Sequence, residues 1–156
     1  MKKTNAIRLL DRDKVTYQLV EYIYDSEDLS VPKIAEQNAL AVEQVYKTLV
    51  AKGDKTGVVV AVVRGDLALN LKALAKASGN KKMALVAVKE LQGLTGYIRG
   101  GCSPIGMKKD FPVFIDETAL EQDLIYVNAG TRGVLMGLTP KDLEQVSRGV
   151  FVGIAA

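Results

Sequence analysis

Lys47 is the first residue whose position in the sequence could support chemistry. In the segment Val45–Val50, β-strand alternation puts Lys47 on the same side as Val45 and Leu49. An ammonium group on an otherwise apolar face must extend to water, find a partner or line a pocket. The pattern leaves two interpretations open: a lysine near a sheet edge whose head group reaches solvent, or a lysine that lines a site.

A glycine-rich segment, Gly96–Gly106, is the second candidate. Its adjacent Gly100 and Gly101 would let a ligand approach the backbone closely, and would turn consecutive N–H groups towards a carbonyl oxygen or a phosphate. The spacing differs from Gly-x-Gly-x-x-Gly and lacks the Gly-Lys-Ser/Thr end of a Walker A loop. The alternative interpretation is a tight surface loop, which is the commoner use of clustered glycines.

The third candidate is Asn128–Gly133, which follows a predicted strand. Arg132 offers a fork of donors suited to a carboxylate or a phosphate. With Arg99, Lys108 and Lys109 it could form a modest basic rim for the end of a nucleic acid. The alternative for each of these charges is ordinary solvated surface.

The counts of histidine, which is 0, and of cysteine, which is 1, exclude much protein-based chemistry. Without imidazole there is no Ser-His-Asp triad, no Cys-His pair and no His-based metal site. One thiol forms neither an intrachain disulfide nor a Cys-rich zinc site. The thiol of Cys102 would keep a pKa of about 8.5 unless a cation lowered it, so a nucleophilic Cys102 is disfavoured. We expect neither a metal nor a cofactor.

Length and composition predict one globular domain over residues 1–156. The chain is 48% hydrophobic and 25% charged, which is sufficient for a full core. The first five residues lead into a mixed-charge segment rather than an apolar one, and the longest apolar run, Val58–Val63, has only the length of a strand. We therefore expect a cytoplasmic protein with no membrane partner. The net charge of +3 permits a polyanionic partner but does not require one.

Short strands outnumber helices in the predicted order of elements, and many strands follow one another directly. This order favours an α+β fold with a mixed, curled sheet over a doubly wound one. The predicted strands cover residues 15–23, 46–52, 57–64, 83–86, 111–115, 124–128, 134–138 and 150–154. The first two predicted helices are capped by Thr4 or Asn5 and by Ser30, and the others cover 42–45, 71–78, 88–91 and 139–147. Residues 93–106 are predicted to form an irregular loop around a short strand.

Taken together, the candidate segments resemble the YbaK family of aminoacyl-tRNA deacylases, which is related to the editing domain inserted in bacterial prolyl-tRNA synthetases. The resemblance runs from the first helix to the last strand, in order and with nearly constant spacing. It implies a mixed, partly barrel-like sheet surrounded by helices. It also implies a free-standing activity that removes Cys from the tRNA for proline. The matching motifs are Val45-Tyr46-Lys47-Thr48-Leu49, Thr95-Gly96-Tyr97, Gly100-Gly101-x-Ser103-Pro104-x-Gly106, Lys108-Lys109 and Ile125-Tyr126-Val127-x-x-Gly130-x-Arg132-Gly133.

The resemblance also implies roles for individual residues. Lys47 matches the family's essential lysine, which holds the aminoacyl ester or the terminal phosphate, and Gly101 belongs to the catalytic loop. The implied substrate-binding residues are Tyr22, Leu29, Thr48, Gly100, Ser103, Asn128 and Arg132.

Two positions depart from the cysteinyl-specific members of that family. Asn128 stands where they carry Ser, and Leu135 stands where they carry Asp. Asn128 can still form hydrogen bonds, whereas Leu135 cannot. The amino-acid specificity therefore stays open between Cys and another residue such as Ala.

The resemblance implies substrate assistance, in which the cysteinyl thiol attacks its own ester carbonyl. The expected partners are the acceptor end of a mischarged tRNA and prolyl-tRNA synthetase. A different class of function, a non-catalytic module that binds an RNA end or a protein, is the alternative. A pure binder has less need of a lysine on an apolar face, which disfavours that alternative.

Overall fold

The computed structural model describes residues 2–156 and contains five helices of eight residues each. They are α1 (Asn5–Arg12), α2 (Val31–Asn38), α3 (Leu71–Ser78), α4 (Val88–Thr95) and α5 (Pro140–Ser147), with short 3-10 helices at Val42–Gln44 and Glu117–Glu121. The strands are β1 (Gln18–Glu21), β2 (Tyr46–Gly53), β3 (Gly57–Arg64), β4 (Met83–Leu85), β5 (Val113–Asp116), β6 (Ile125–Asn128), β7 (Val134–Leu138) and β8 (Val150–Val152). None of the helices over residues 2–156 is long and apolar enough to cross a membrane.

The strands form two sheets. One has five strands in the order β4-β2-β3-β5-β8, and the other has three in the order β1-β7-β6. The β2–β3 and β2–β4 pairs are antiparallel, whereas β3–β5 and β5–β8 are parallel. This mixture confirms the predicted α+β class. The two sheets do not close into a barrel.

One edge of β2 is only partly covered. β3 pairs with β2 along its whole length on one side. On the other side β4 pairs with residues 51–53, and Val45, just before β2, forms an isolated parallel bridge with Tyr126 of β6. Among the described strands, none pairs with residues 46–49 on that side. We call this stretch the β2 gap, and it lies where the two sheets meet.

The core lies on both faces of the central strand β3. Alternate residues of a strand point to opposite faces, and here Val60 and Val62 pack towards α1 and α5 while Val59 and Ala61 pack towards α3. All four are at most 1% exposed. Fully burying a valine side chain stabilises the fold by roughly 1.5–3 kcal/mol, so β3 anchors β2 and its gap firmly.

Two predicted strands begin later than expected, for local reasons. The strand predicted over 15–23 is only Gln18–Glu21, because the end of α1 takes up the first residues: Lys14 has a φ of 57° and the N–H of Val15 donates to the carbonyl of Leu10 at 2.9 Å. The strand predicted over 111–115 begins at Val113. Pro112 before it has no N–H to give to the ladder.

The structure differs from the predicted elements at four other places. The helix predicted over 88–91 continues to Thr95, which removes residues 93–95 from the predicted loop, and residues 96–106 contain no strand. The 3-10 helix after β5 was not predicted. The last strand ends at Val152, because the N–H of Ile154 donates to Oδ1 of Asp116 at 2.9 Å instead of continuing a ladder.

Candidate active site

Lys47 lies in the β2 gap and is half-buried. It pairs with Val63 of β3, and its ammonium group has no hydrogen bond or ion pair with any atom of residues 2–156. The charge of Asp66 raises the pKa of Lys47, but Arg64 already donates to both oxygens of that carboxylate, at 2.6 and 2.9 Å. Burial lowers the pKa of Lys47, and the charge of Asp66 offsets this only partly. The arrangement favours a lysine that lines a site over one that reaches freely into solvent.

Thr48, the next residue in the β2 gap, has a hydroxyl oxygen that is buried and has no hydrogen-bond partner in the described part of the chain. Leaving such a group unpaired costs about 1–3 kcal/mol. Native structures seldom tolerate this without a reason, and a missing ligand is one such reason. The Thr48 hydroxyl is therefore a buried polar group in the β2 gap that is available to a ligand, on the opposite face of the strand from Lys47.

The parallel bridge at Val45 brings the end of β6 to the same gap. Two residues beyond the bridge on each strand are Lys47 and Asn128, and parallel strands run in the same direction from such a bridge. The side chains of Val45 and Tyr126 pack in one cluster, and residues i and i+2 share a face. The side chains of Lys47 and Asn128 therefore lie on the same face of β2 and β6, where the two strands meet.

Asn128 holds three segments together through all four of its side-chain hydrogen bonds. Its Oδ1 accepts from the N–H groups of Gly130 at 2.6 Å and Thr131 at 3.0 Å. Its Nδ2 donates to the carbonyl of Gly100 at 2.9 Å and to the hydroxyl of Tyr22 at 3.3 Å. An amide has two donors and two acceptor positions, so the side chain of Asn128 is fully occupied. Its bond to Gly100 ties the turn over residues 98–103, which we call the glycine loop, to β6.

The glycine loop is a tight turn that brings four predicted residues into contact. A Cβ on Gly100 would lie 2.8 Å from Leu29 Cδ1, and Gly100 has a φ of 82°, so only glycine fits there without strain. A Cβ on Gly101 would lie 3.1 Å from the backbone nitrogen of Arg132. The Arg132 guanidinium in turn donates from Nε to the carbonyl of Arg99 at 2.9 Å.

The backbone N–H groups of this loop are of two kinds. The N–H of Gly101 donates to the carbonyl of Ile98 at 2.9 Å, so it closes the turn. The next two, on Cys102 and Ser103, donate to no acceptor within residues 2–156, although both residues are buried. Orphaned buried N–H groups are rare in folded proteins. These two consecutive donors are suited to an oxyanion.

Cys102 is not a nucleophile in this environment. It is 8% exposed and packs with Val50 and Tyr97. Burial raises the pKa of its thiol to about 12. At pH 7 only about one molecule in 10⁵ would then carry the thiolate, which is the reactive form.

The predicted basic rim divides into separate places. Arg132 lies against the backbone of Arg99, whereas Lys108 donates to the carbonyl of Gly93 at 3.4 Å, near the end of α4. Lys109 lines a different cavity, of about 420 Å³, which also contains residues of α1 and α5. Arg99 and Arg132 are therefore the only pair of that set that the described contacts bring to the glycine loop.

The sequence patterns identified Lys47 and the glycine-rich segment as candidates. They did not indicate that Asn128 positions the glycine loop through its hydrogen bonds. They also missed that the free donors belong to Cys102 and Ser103 rather than to Gly101 itself. The available signal was Gly100 before Gly101, since a glycine at the third position of a turn lets the fourth residue's N–H bond back to the first.

Known proteins match this chain over most of its length. A family model described as "Aminoacyl-tRNA editing domain" matches residues 26–146. The chain is 46% identical over 153 residues to the "Putative Cys-tRNA(Pro)/Cys-tRNA(Cys) deacylase EbsC" of Enterococcus faecalis. This match covers 98% of this chain and 93% of that protein. The chain is also 28% identical over 98 residues to a proline–tRNA ligase of Brachyspira hyodysenteriae, which covers 59% of this chain but 17% of the ligase.

The fold is also shared with a solved structure. The crystal structure of "a putative trans-editing enzyme for prolyl tRNA synthetase" matches with a TM-score of 0.82 and 23% identity, covering 100% of this chain and 99% of the other. That likeness confirms the predicted mixed fold. The segment matched by the family model contains Leu29, the β2 gap, the glycine loop and Arg132. The chain belongs to the aminoacyl-tRNA editing domain family.

Proposed function

We propose that this chain is a trans-editing aminoacyl-tRNA deacylase that releases Cys from mischarged Cys-tRNA(Pro), and from Cys-tRNA(Cys). The observation that carries the proposal is Lys47, half-buried and without a partner in the described residues, in a gap bordered by a glycine loop with two free N–H groups. The likeness to EbsC supports the choice of substrate. The whole of residues 1–156 acts as one editing domain in this proposal.

Lys47 holds the substrate. Its ammonium group attracts the ester oxygens or the terminal phosphate at the acceptor end of the tRNA. A partly desolvated charge interacts more strongly with such a group than a fully hydrated one does. The absence of any competing carboxylate on its Nζ within residues 2–156 leaves that charge free for the substrate.

The nucleophile comes from the substrate. The cysteinyl sulfur attacks its own ester carbonyl, the C–S bond forms, the C–O bond to the tRNA breaks, and the thiol proton goes to the departing 3′-oxygen. The products are a thiolactone and a deacylated tRNA, and water opens the thiolactone later. A free thiol is a few per cent thiolate at pH 7, and an oriented intramolecular attack has a large rate advantage. The protein then requires neither histidine nor the buried Cys102.

The glycine loop stabilises the charge that develops on the carbonyl oxygen. The N–H groups of Cys102 and Ser103 serve as the oxyanion donors, and Gly101 shapes the turn that presents them. Removing one such donor typically costs about 10²–10³ in kcat. Asn128 acts as a positioning residue, because its bonds to Gly100 and to the turn at Gly130 fix the loop.

Tyr22, Leu29 and Thr48 line the amino-acid pocket in this proposal. Tyr22 is 7% exposed, and its ring packs with Ile34 and Leu135. A second substrate, Ala-tRNA(Pro), is favoured by Leu135, which is 4% exposed and gives this wall of the pocket no polar group. Without a substrate thiol, that reaction would have to activate water.

Four charged tRNAs separate these possibilities: tRNA(Pro) esterified with Cys, Ser, Ala and Pro. The proposal predicts rapid ester loss only from the Cys ester, and loss of that activity in Lys47→Ala with an unchanged thermal melt. Rapid release of Ala would support the second substrate. Release of none of the four would support a non-catalytic RNA-binding module. Prolyl-tRNA synthetase is proposed as a partner, and adding it should raise the rate on Cys-tRNA(Pro).

A further inference from the structure

The positive charge of this protein is concentrated in one segment. Residues 52–90 contain eight lysines and arginines against three acidic residues, whereas the rest of the chain contains thirteen against fifteen. The net charge of +3 for the whole chain therefore comes from that segment, and the remainder is slightly acidic. A surface with a local excess of this kind attracts polyanions.

The fold gathers this charge around a groove. A cavity of about 830 Å³ runs along the edge strand β4, between α3 and α4. Lys52 of β2, Lys72 of α3, and Lys81 and Lys82 before β4 line it, and we call it the β4 groove. All four lysines are exposed, and within the described residues none of their ammonium groups has a hydrogen bond or an ion pair.

The acidic groups of the β4 groove do not neutralise these lysines. Asp54 uses its Oδ1 to accept the backbone N–H groups of Lys81 and Lys82, at 3.0 and 3.1 Å, and those bonds lower its pKa. This contact shapes the turn before β4 and uses only the backbone of Lys81 and Lys82, so the Asp54 carboxylate forms no ion pair with either ammonium group. Glu90 is the other acidic residue in the lining. Four lysines against two carboxylates give the groove a net positive charge.

The β4 groove continues the same edge of β2 that carries the gap. β4 covers residues 51–53 on that edge, directly after the open stretch with Lys47. Lys52 lies five residues beyond Lys47, or roughly 17 Å along β2 at ~3.3 Å per residue, and this odd spacing puts the two side chains on opposite faces of the strand. An RNA whose unpaired CCA end lies at Lys47 would therefore pass the edge formed by β2 and β4 and reach the groove where its stem begins.

From these contacts we infer that the β4 groove binds the phosphate backbone of the acceptor stem of tRNA, while the β2 gap holds only its aminoacylated end. This inference rests on the proposed function for the choice of RNA. Lysines act on phosphates as flexible point charges and carry no sequence preference by themselves. The groove therefore supplies affinity for any tRNA, and discrimination is left to the amino-acid pocket or to a partner.

The test compares two double variants with the same change in charge. Lys81→Glu/Lys82→Glu reverses the groove but keeps the backbone N–H groups that Asp54 needs. Lys14→Glu/Lys141→Glu reverses two exposed lysines outside it. Binding of uncharged tRNA(Pro) is measured by fluorescence anisotropy from 50 to 200 mM salt. The groove variant should raise Kd by about tenfold and reduce the slope of log K against log salt by about two. The control should stay within about twofold.

A second substrate separates this inference from the proposed function. Cys esterified to the trinucleotide CCA has no stem, so the groove variant should cleave it as fast as the wild type does. If no ester is cleaved at all but tRNA binding still depends on the groove, the deacylase proposal fails and the groove assignment stands. Equal tRNA affinity of wild type and groove variant, equal weakening in the control, or undetectable tRNA binding by the wild type would overturn the groove assignment.

Two further measurements check that the groove variants are folded and that the groove binds RNA rather than another polyanion. Thermal melts of both double variants should match the wild type; should the groove variant fail to fold, Lys52→Gln/Lys72→Gln replaces it, with the same expected loss of salt slope. Vesicles containing an anionic phospholipid are the competing polyanion. Groove-dependent binding to such vesicles without groove-dependent binding to tRNA would overturn the assignment to RNA.

Discussion

An asparagine that makes four hydrogen bonds lies near each end of β2. At the hairpin end, Asn80 accepts from the N–H groups of Lys55 and Thr56, at 2.8 and 2.9 Å, and donates to the hydroxyls of Thr56 and Ser78. At the gap end, Asn128 also accepts from two consecutive N–H groups and donates twice. The two side chains are equally satisfied.

The difference lies in what each asparagine leaves unpaired around it. Asn80 closes the β2–β3 hairpin and ties it to the end of α3, and a Cβ on Gly57 there would meet open space. Asn128 joins segments that are far apart in sequence, and the loop that it holds keeps two free N–H groups beside a buried, unpartnered Thr48 hydroxyl. Unpaired polar groups cost stability. One end of β2 is therefore built for the fold, and the other retains costs that a substrate would offset.

The largest expected effect follows from replacing Lys47, which lies in the β2 gap. Lys47→Met should reduce deacylation by about 10³-fold or more, because it removes the charge that holds the substrate. Burial lowers the pKa of Lys47 in the folded state below the value of 10.5 that it has in the unfolded state. The unfolded state therefore binds this proton more tightly than the folded state does. Lys47 therefore opposes folding at neutral pH, and this penalty is relieved as the pH rises towards 10.5.

Lys47→Met should consequently melt at the wild-type temperature or above it. Differential scanning calorimetry and single-turnover ester cleavage measure the two effects. Lys14→Met, at an exposed site, is the matched control and should change neither. A fall in the melting temperature together with retained activity would refute the assigned role.

The next effect separates the two asparagines. Asn128→Ala and Asn80→Ala each lose four hydrogen bonds, so each should lower the free energy of unfolding by about 2–4 kcal/mol. Only Asn128→Ala should also lower kcat, by about 10²-fold, because the oxyanion donors lose their support. Asn128→Ser keeps an acceptor for the turn at Gly130 and should recover part of kcat with little change in KM. Equal activity losses for the two alanine variants would remove the distinction between the two ends.

A smaller effect separates two glycines with the same backbone conformation. Gly57 has a φ of 79° and Gly100 a φ of 82°, so alanine at either position costs roughly 1 kcal/mol of stability. At Gly100 the new Cβ also meets Leu29 and the Arg132 guanidinium. Gly100→Ala should therefore reduce kcat/KM by about tenfold or more, and Gly57→Ala should leave it unchanged. Chemical denaturation and steady-state kinetics on both variants make the comparison, and an active Gly100→Ala would contradict it.

Local patterns in the sequence were enough to predict the hairpin end, but only part of the gap end. Two segments rich in strand-forming residues, 46–52 and 57–64, with the turn residues 53–56 between them predict two paired strands whatever the rest of the chain does. The β2 gap depends instead on Val45 meeting Tyr126, 81 residues away, and on β4 covering only residues 51–53. Two of the partners of Asn128, Tyr22 and Gly100, come from distant segments in the same way. No local rule contains these pairings, because they follow from tertiary packing.

The central claim is that the substrate supplies the nucleophile, and its most direct test is the ratio of single-turnover rates on Cys-tRNA(Pro) and Ser-tRNA(Pro). The two substrates differ only in sulfur for oxygen, and a serine hydroxyl is far less ionised at neutral pH. We predict that the Cys ester is cleaved at least about 10²-fold faster, and that Cys102→Ala keeps this ratio because its thiol is buried with a pKa of about 12. Equal rates on the two esters, or loss of the Cys rate in Cys102→Ala, would contradict it.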